Sequence, residues 1–250
     1  MNLRSLGLGV LFLGLLASIA GASAQKNLDT ATRRGEVAFI LVTDQGATGV
    51  EQAKEIIHQT MKKVKKSTLV ELERSKPENT DLVAKFRLAG APVPLVLVAA
   101  RNGVIAGGFP AAEATSENLA AMVPSAKKAE VLAAIQTGKA VFISVSRKSM
   151  NSQSGAMASC AAACGQMKAQ GVTIPIEMDD PAESEFLAQL KVDRAATEPV
   201  TLVVNAQGQI TGTYSGAVEV ASLVQAATKK AGGCCPPTAQ GGSQSCGPKK

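Results

Sequence analysis

An internal repeat constrains the fold more than any other feature of this sequence. The apolar segment Val-Ala-Phe-Ile-Leu-Val-Thr at 37–43 matches Ala-Val-Phe-Ile-Ser-Val-Ser at 140–146, at an offset of 103 residues. Further on, the segment 94–109 aligns residue for residue with 199–214, and both begin with proline. Because self-similarity at a fixed spacing marks a duplicated structural unit, we predict two copies of one fold.

Each copy alternates between strand patterns and helix patterns. Short β-branched apolar runs predict buried strands, apolar residues at i, i+3, i+4 spacing predict helices, and a turn dipeptide predicts a hairpin. The predicted elements of the first copy are strand 37–43, an amphipathic helix, strand 68–73, helix 80–87, a strand from 94, a returning strand 104–109 and helix 116–123. Those of the second copy are strand 140–146, a helix, strand 172–178, helix 182–190, a strand from 199, a returning strand 209–214 and helix 218–229. The predicted order is βαβαββα in both copies.

The proline-led hairpins indicate the family that this unit resembles. The segment Glu-Pro-Val-Thr-Leu-Val-Val-Asn-Ala-Gln-Gly-Gln-Ile at 198–210 resembles the proline, strand and hairpin of thioredoxin and its periplasmic relatives. The resemblance implies an α/β protein with two tandem thioredoxin-like βαβαββα domains, each a mixed central sheet flanked by helices. In that family the proline is cis and faces the active site, which makes Pro94 and Pro199 the implied cis-prolines and candidate binding residues. The alternative is an ordinary trans proline at the first residue of a strand.

The N-terminus has the composition of a secretory signal peptide. Arg4 precedes an uncharged apolar run at 6–20, and the small triplet Ala22-Ser23-Ala24 follows it. The run is shorter than the roughly 20 residues that span a bilayer, although an uncleaved N-terminal anchor is the competing interpretation. We expect an exported protein, periplasmic or secreted, with no stable membrane insertion after signal removal.

The predicted domain organisation follows from the repeat and from these terminal segments. After residue 230 the composition changes to Gly, Pro, Ser and Cys, which do not build a packed core. The predicted segments are a signal peptide at 1–24, a thioredoxin-like domain without cysteine at 25–126, a thioredoxin-like domain with a CxxxC motif at 127–230, and a flexible tail at 231–250.

Charge and motifs exclude several classes of function. The formal net charge is only +6, the chain has no Trp and a single Tyr, and no nucleic-acid-reading motif is present. We therefore expect no nucleic-acid partner. The sequence also has no Ser-His-Asp set, phosphate loop or zinc-hydrolase motif.

Neither copy carries cysteine where a thioredoxin needs it. That chemistry depends on a thiolate at a helix N-terminus, where the dipole and the free N–H groups lower the pKa of the thiol. The corresponding positions here are 48–51 (Thr-Gly-Val-Glu) and 151–154 (Asn-Ser-Gln-Ser). The first copy contains no cysteine at all, which favours a structural or binding role for it.

The second copy has a cysteine pair, Cys160 and Cys164, beyond the family position. With the repeat offset, the pair aligns with Ile57 and Met61 on an apolar helix stripe, which favours core packing. A redox role requires 146–159 to be a loop with Ser159 as helix N-cap, so that Cys160 lies in the first turn. That arrangement resembles the CxxxC of Sco-type copper chaperones.

The copper-chaperone resemblance is incomplete. That family adds a distal histidine ligand, whereas the single histidine here is His58 in the other copy.

The tail holds three further cysteines, Cys234, Cys235 and Cys246. In an oxidising compartment the tail is inert or closes a small disulfide loop that leaves one thiol free. Alternatively, its cysteines hold a soft ion such as Cu(I) or Zn(II), alone or with Cys160 and Cys164, or act as resolving thiols for that pair. The spacing matches no established zinc pattern.

Three functions remain open from sequence. The first is a non-catalytic binding or scaffold protein with degenerate active sites, acting on other exported proteins and without a cofactor. The second is an unconventional thiol-disulfide oxidoreductase with Cys160 and Cys164 as catalytic residues. The third is a soft-metal protein that binds copper or zinc through the cysteines.

Overall fold

The computed structural model describes residues 23–230, and its first half is organised by a four-stranded mixed sheet. Strand β1 (Val37–Thr43) pairs in parallel with β2 (Ser67–Glu73) and antiparallel with β3 (Leu95–Ala99). Strand β4 (Ile105–Pro110) pairs antiparallel with β3, which gives the order β2-β1-β3-β4.

The second half repeats this sheet strand for strand. Strand β5 (Ala140–Ser146) pairs in parallel with β6 (Gly171–Glu177) and antiparallel with β7 (Val200–Val204). Strand β8 (Ile210–Ser215) completes the order β6-β5-β7-β8. The predicted duplication and the mixed α/β class are confirmed. We call β1–β4 with their helices the first unit and β5–β8 with theirs the second unit.

Helices cover both faces of each sheet. The α-helices of the described residues are α1 (Ala24–Arg34), α2 (Val50–Lys63), α3 (Thr80–Lys85), α4 (Ser116–Ala121), α5 (Ala126–Gln136), α6 (Gln153–Gln166), α7 (Ser184–Gln189) and α8 (Val220–Thr228). A short 3-10 turn precedes α3 and another precedes α7. The predicted βαβαββα order is therefore incomplete at its start, because each unit opens with a helix, α1 or α5. Gly35, with φ of 62°, ends α1 in the left-handed conformation that glycine adopts without strain.

The first unit shows how the sequence patterns produce this packing. Strand β1 is buried along almost its whole length because helices lie on both faces of the sheet. Phe39 points to the face covered by α2 and α4, whereas Ile40 points to the face covered by α1 and α3. The predicted apolar stripe through Ile57 and Met61 is confirmed on α2, where Ile57 and Ala53 are fully buried and Met61 is partly buried against the sheet.

Helix α5 contacts both units. Val131 packs into the core of the second unit, while Ala129 packs with Ala100 and Val104 of the first. Asn102 Nδ2 also donates to the Ala129 carbonyl oxygen at 2.9 Å. A helix that is apolar on two sides shows no single stripe in its sequence.

A buried carboxylate fixes the start of α5. Glu183 is only 2% exposed, and its carboxylate accepts from Ser125 Oγ at 2.5 Å and from the Lys127 N–H at 3.0 Å. These bonds satisfy an N–H group that the first turn of a helix leaves without an intrahelical partner. The segment joining the two units is thereby bound to the second.

The predicted terminal segments lie largely outside the described residues. Of the predicted signal peptide, only Ser23 and Ala24 are described, and the predicted tail is not described at all. Ser23 caps α1 through its hydroxyl, and Ala24 is buried in the first core. Between residues 23 and 230, no helix combines the length and the apolar character needed to cross a membrane.

Candidate functional site

The helix starts expected to carry catalytic cysteines are present, and they carry other residues. Helix α2 begins at Val50 after Gly49, and α6 begins at Gln153 after Ser152. Both starts coincide with the positions identified from sequence, and they stand 103 residues apart. Neither helix has a thiol in its first turn, where the dipole acts most strongly.

The loop required for a redox role of Cys160 is absent. The redox interpretation required 146–159 to be a loop with an N-cap at Ser159, but α6 begins at Gln153 and Cys160 lies two turns inside it. The reason is tertiary. Ala156 and Cys160 pack against the second sheet as Ala53 and Ile57 pack against the first, and this burial overrides the low helix propensity of the Ser-rich segment.

The Cys160 thiol is enclosed in the core of the second unit. The residue is 0% exposed and packs among the side chains of β5, α6 and α8. Burial raises its pKa to about 11, and the hydroxyl of Thr201 offsets part of that rise. At neutral pH this group is a protonated thiol, whereas thiol exchange requires a thiolate.

Cys164 occupies a different environment one turn later. It is half-buried at the end of α6, and its Sγ lies 3.2 Å from the Thr173 hydroxyl oxygen on β6. Both cysteines are free thiols in the structure. Side chains four residues apart on one helix run side by side, a poor geometry for a disulfide between them.

The core around Cys160 is more polar than its counterpart in the first unit. Three equivalent positions differ: Ser144 replaces Leu41, Thr201 replaces Val96, and Cys160 replaces Ile57. Ser144 and Thr201 face each other across β5 and β7. Within residues 23–230, the Ser144 hydroxyl has no hydrogen-bond partner, and the Thr201 hydroxyl has none beyond its weak interaction with the Cys160 sulfur, so the packing of this core satisfies its polar atoms poorly.

The two candidate prolines differ in configuration. The Val93–Pro94 peptide bond is cis, and it is the one cis bond among the described residues. Glu198–Pro199 is therefore trans, the form that X-Pro bonds favour by about 0.5–1 kcal/mol. Each proline carbonyl oxygen accepts a hydrogen bond from the residue that follows the returning strand of its hairpin. Pro94 accepts from the Ala111 N–H and Pro199 from the Gly216 N–H, both at 2.8 Å.

An arginine that sequence reasoning missed holds the loop before Pro94. Arg74 follows β2 directly and forms a two-pronged ion pair with Asp44, which follows β1. Its Nη1 also donates to the carbonyl oxygens of Leu88 at 2.6 Å and Ala91 at 2.8 Å. The Arg74 guanidinium holds the pKa of Asp44 below its usual range. One guanidinium therefore joins two strand ends to the proline loop.

The second unit has an equivalent arrangement in which the charges of the ion pair are exchanged between the two strand ends. We call each arrangement of an arginine, its carboxylate partner and the bonded loop carbonyl groups a clamp. Here Arg147 follows β5 and pairs with Asp179, at 2.8 Å from Nε to Oδ2. Nη1 donates to the Ala196 carbonyl oxygen at 3.0 Å, and Nη2 donates to that of Arg194. The repeat alignment contains the signal, because Asp44 and Arg147 stand 103 residues apart.

The structure tests the predicted metal ligands only in part. Among residues 23–230, no group of three or more His, Cys, Asp or Glu side chains is placed to hold a metal ion. Cys234, Cys235 and Cys246 lie outside the described residues. His58 is exposed on α2, in the other unit from Cys160 and Cys164.

Comparisons with solved structures return matches of very low identity and low TM-score. The first two thioredoxin domains of Eps1p from Naumovozyma dairenensis are 12% identical, cover 81% of this chain and 95% of theirs, and give a TM-score of 0.28. The zinc-bound form of human ERp44 is 12% identical, with coverages of 81% and 58% and a TM-score of 0.35. The NTD_N/C domain of AhpF from Enterococcus faecalis is 13% identical, with coverages of 82% and 99% and a TM-score of 0.26.

Strand order and pairing define the class of this protein. No protein-family model and no curated protein matches the chain. Each unit has a central parallel pair, an antiparallel hairpin led by proline, and helices on both faces. By its own strand order and pairing, the chain consists of two tandem α/β units of thioredoxin-like topology.

Proposed function

We propose that this chain is an exported, non-catalytic binding or scaffold protein that keeps the thioredoxin-like fold without thioredoxin chemistry. One observation carries the proposal. The thiol nearest to a catalytic position, Cys160, is fully buried and has a pKa raised to about 11, while the helix starts at Val50 and Gln153 carry no thiol. Disulfide exchange requires an accessible thiolate, and neither Cys160 nor the two helix starts supply one.

The proline loops are the surface that we assign to binding. Each is held by an arginine, Arg74 or Arg147, which donates to loop carbonyl groups while paired to a carboxylate. A loop fixed in this way loses little conformational entropy when a partner binds. The ligands best suited to such a surface are extended segments of other exported proteins.

An insulin-reduction assay tests the absence of catalysis. In dithiothreitol, insulin should precipitate in the presence of the protein at the rate of dithiothreitol alone, with a thioredoxin as positive control. A faster rate that is lost in Cys164→Ser would overturn the proposal in favour of an oxidoreductase.

Fractionation tests the export. A cell that expresses the full sequence should place a shortened chain outside the cytoplasm, and deletion of residues 1–22 should retain it inside. Retention of the full-length mass in the cytoplasmic fraction contradicts the proposal.

Soft-metal binding is the second candidate, and a pair of sulfur atoms favours it. A Cβ placed on Gly171 would stand 3.6 Å from Cys164 Sγ and 3.3 Å from Met167 Sδ, so the thiol and the thioether lie over the same glycine. Thiol and thioether sulfur are ligands that Cu(I) prefers. Competition with bicinchoninic acid should then show Cu(I) affinity that falls in Met167→Leu, with Met157→Leu as matched control. Equal affinities in the two variants would remove this candidate.

A further inference from the structure

Exposed basic residues gather at one end of the first unit, where β1 and β2 begin. They lie on three turns: the end of α1, the connection from α2 to β2, and the hairpin between β3 and β4. We call this surface the basic end. Its members are Arg33, Arg34, Lys62, Lys65, Lys66 and Arg101.

Contacts between the three turns bring these residues together. The Val37 N–H, at the start of β1 just after Arg34 and the turn that follows it, donates to the Lys66 carbonyl oxygen at 2.9 Å. A Cβ placed on Gly103 of the hairpin would stand 2.8 Å from Thr32 Oγ1 on α1. The turns adjoin three neighbouring strands, β2, β1 and β3, which lie about 4.8 Å apart. The basic residues therefore form one continuous surface.

The charges of the basic end are not neutralised by the described part of the chain. Among residues 23–230, none of its members forms an ion pair, and Arg33 donates to the Thr30 hydroxyl instead, at 2.9 Å. The neighbouring Lys63 does pair, with Glu117, and is left out for that reason. Glu36 is the one carboxylate on the three turns, so six positive charges and one negative charge leave a net charge of +5.

The second unit shows that the fold does not require these charges. The equivalent residues there are Gln136, Thr137, Gly165, Lys168, Ala169 and Ala206. One of them is basic, and Lys139 stands where the first unit has Glu36. The turns themselves are alike, since Lys66 and Ala169 both have positive φ, 55° and 69°. Because like charges repel, a basic surface that one copy has and the other lacks points to a negatively charged partner.

The composition of the three turns favours a lipid surface as that partner. The turns carry no aromatic residue, whereas nucleic acids bind to basic residues interleaved with aromatics. They expose no large apolar side chain, which a protein interface would bury at its centre. A cluster of about four to eight Lys and Arg is typical of electrostatic binding to anionic phospholipids. We propose that the basic end binds the first unit to a membrane surface of anionic phospholipid headgroups.

Binding at this end leaves the first proline loop facing away from the membrane. Asp44 and Arg74 follow the last residues of β1 and β2, so their clamp and the loop before Pro94 lie at the opposite end of the sheet. A strand of this length spans about 20 Å. The proposal goes beyond the binding role given above and does not depend on it, and it places that loop where other proteins can reach it.

Vesicle sedimentation tests the proposal. The chain from Ser23 onward, which contains every described element of both units, is mixed with phosphatidylcholine vesicles that contain one-third phosphatidylglycerol or none. We expect sedimentation with the anionic vesicles alone. It should disappear as the salt concentration rises from about 0.05 M to about 0.5 M, because exposed charges are screened.

A variant that takes three residues from the second unit removes half of the basic end. Its changes are Arg33→Gln, Arg34→Thr and Lys66→Ala. Each basic residue near an anionic surface strengthens binding by about fivefold, so this variant should bind about 100-fold more weakly at low salt. The matched control removes the same charge from exposed positions of the second unit and should bind as the wild type does. Its changes are Lys191→Gln, Lys229→Gln and Lys230→Gln. Circular dichroism checks that both variants are folded.

Three results would overturn the proposal. The first is equal sedimentation with neutral and anionic vesicles, and the second is an equal loss of binding in the two variants, which would assign the effect to net charge alone. The third is no sedimentation with anionic vesicles, and retention on polyglutamate beads in that case would assign the basic end to an acidic protein. Neither insulin reduction nor export is measured here, so failure of this proposal is distinguishable from failure of the proposed function.

Discussion

Asp44 and Arg147 occupy equivalent positions of the two units, directly after β1 and β5, and carry opposite charges. Each pairs with a partner that follows the neighbouring parallel strand, Arg74 or Asp179. In both units the arginine of the pair, whichever strand supplies it, donates to carbonyl groups of the loop before the proline. The clamp is retained while the polarity of its ion pair is reversed.

Replacing the clamp arginine of the second unit should loosen the loop before Pro199. We expect Arg147→Met to lower the free energy of unfolding by about 1–2 kcal/mol, because carbonyl groups bonded to a charged donor lose it. Urea unfolding measures this change. Arg147→Lys keeps the charge without the fork of donors, so it should recover only part of the loss. Full recovery by lysine would show that charge alone is responsible.

The strands and the duplication were predictable from sequence because their signals are local. A buried run such as Val37–Thr43 and a turn such as Asn102-Gly103 carry their own pattern. The clamps were not predictable in this way, because their acceptors are loop carbonyl groups that are positioned only by the folded chain. Helix α5 was missed because it packs against both units.

At the start of α6 the local composition was misleading and the repeat offset was the better guide. The polar, Ser-rich composition of 146–159 allowed a loop, whereas the repeat offset gave 151–154 as the position of a helix start. The offset was right, because two copies of one fold share tertiary contacts even where local propensity differs.

Thiol reactivity should separate the two cysteines of α6. In a variant with Cys234, Cys235 and Cys246 changed to Ser, we expect one thiol per native chain, Cys164, to react with Ellman's reagent at pH 8. Cys160 should react only after unfolding, because its pKa is raised to about 11 and its side chain is enclosed. Prompt reaction of two thiols in the native state would contradict the burial described here.

Removing the unsatisfied Thr201 hydroxyl should stabilise the protein. Thr201→Val keeps the shape of the side chain and removes a buried polar group without a well-formed bond, so we expect a gain of about 1 kcal/mol in the free energy of unfolding. Thr60→Val is the matched control. Thr60 is equally buried but donates to the Ile56 carbonyl oxygen at 2.8 Å, and its replacement should bring no gain. Equal effects at both sites would count against the explanation.

Stability should fall in acid through the carboxylate of Glu117. Its pKa is lowered from 4.5 to about 2, chiefly by a hydrogen bond from Lys63. A group whose pKa is lower in the folded state stabilises above its unfolded pKa, and this contribution disappears as pH falls from about 4.5 through about 2. Both side chains reach solvent, so the effect should be modest and should shrink in high salt.

Urea unfolding midpoints at pH 6 and pH 2.5 measure the contribution of Glu117. In Glu117→Gln the decline between the two values should be smaller than in the wild type. An identical decline would assign the acid sensitivity to other carboxylates.

The stability of the protein should depend on whether its first residue is Ser23 or Gln25. A chain that begins at Gln25 lacks the Ser23 cap and the buried Ala24, whereas one that begins at Ser23 keeps both. Loss of a cap costs about 1 kcal/mol, so the shorter chain should unfold at a lower urea concentration. Equal midpoints for the two chains would show that these residues add nothing.

The reversed ion pairs also bear on how two similar domains on one chain avoid exchanging parts while they fold. Tandem repeats misassemble when an element of one copy inserts into the other. If β2 and Arg74 replaced β6 beside β5, two arginines would meet, because Arg147 already stands there. The reciprocal exchange would bring Asp179 against Asp44. Because the two ion pairs have opposite polarity, the charge at each strand end attracts its own partner strand and repels the equivalent strand of the other unit.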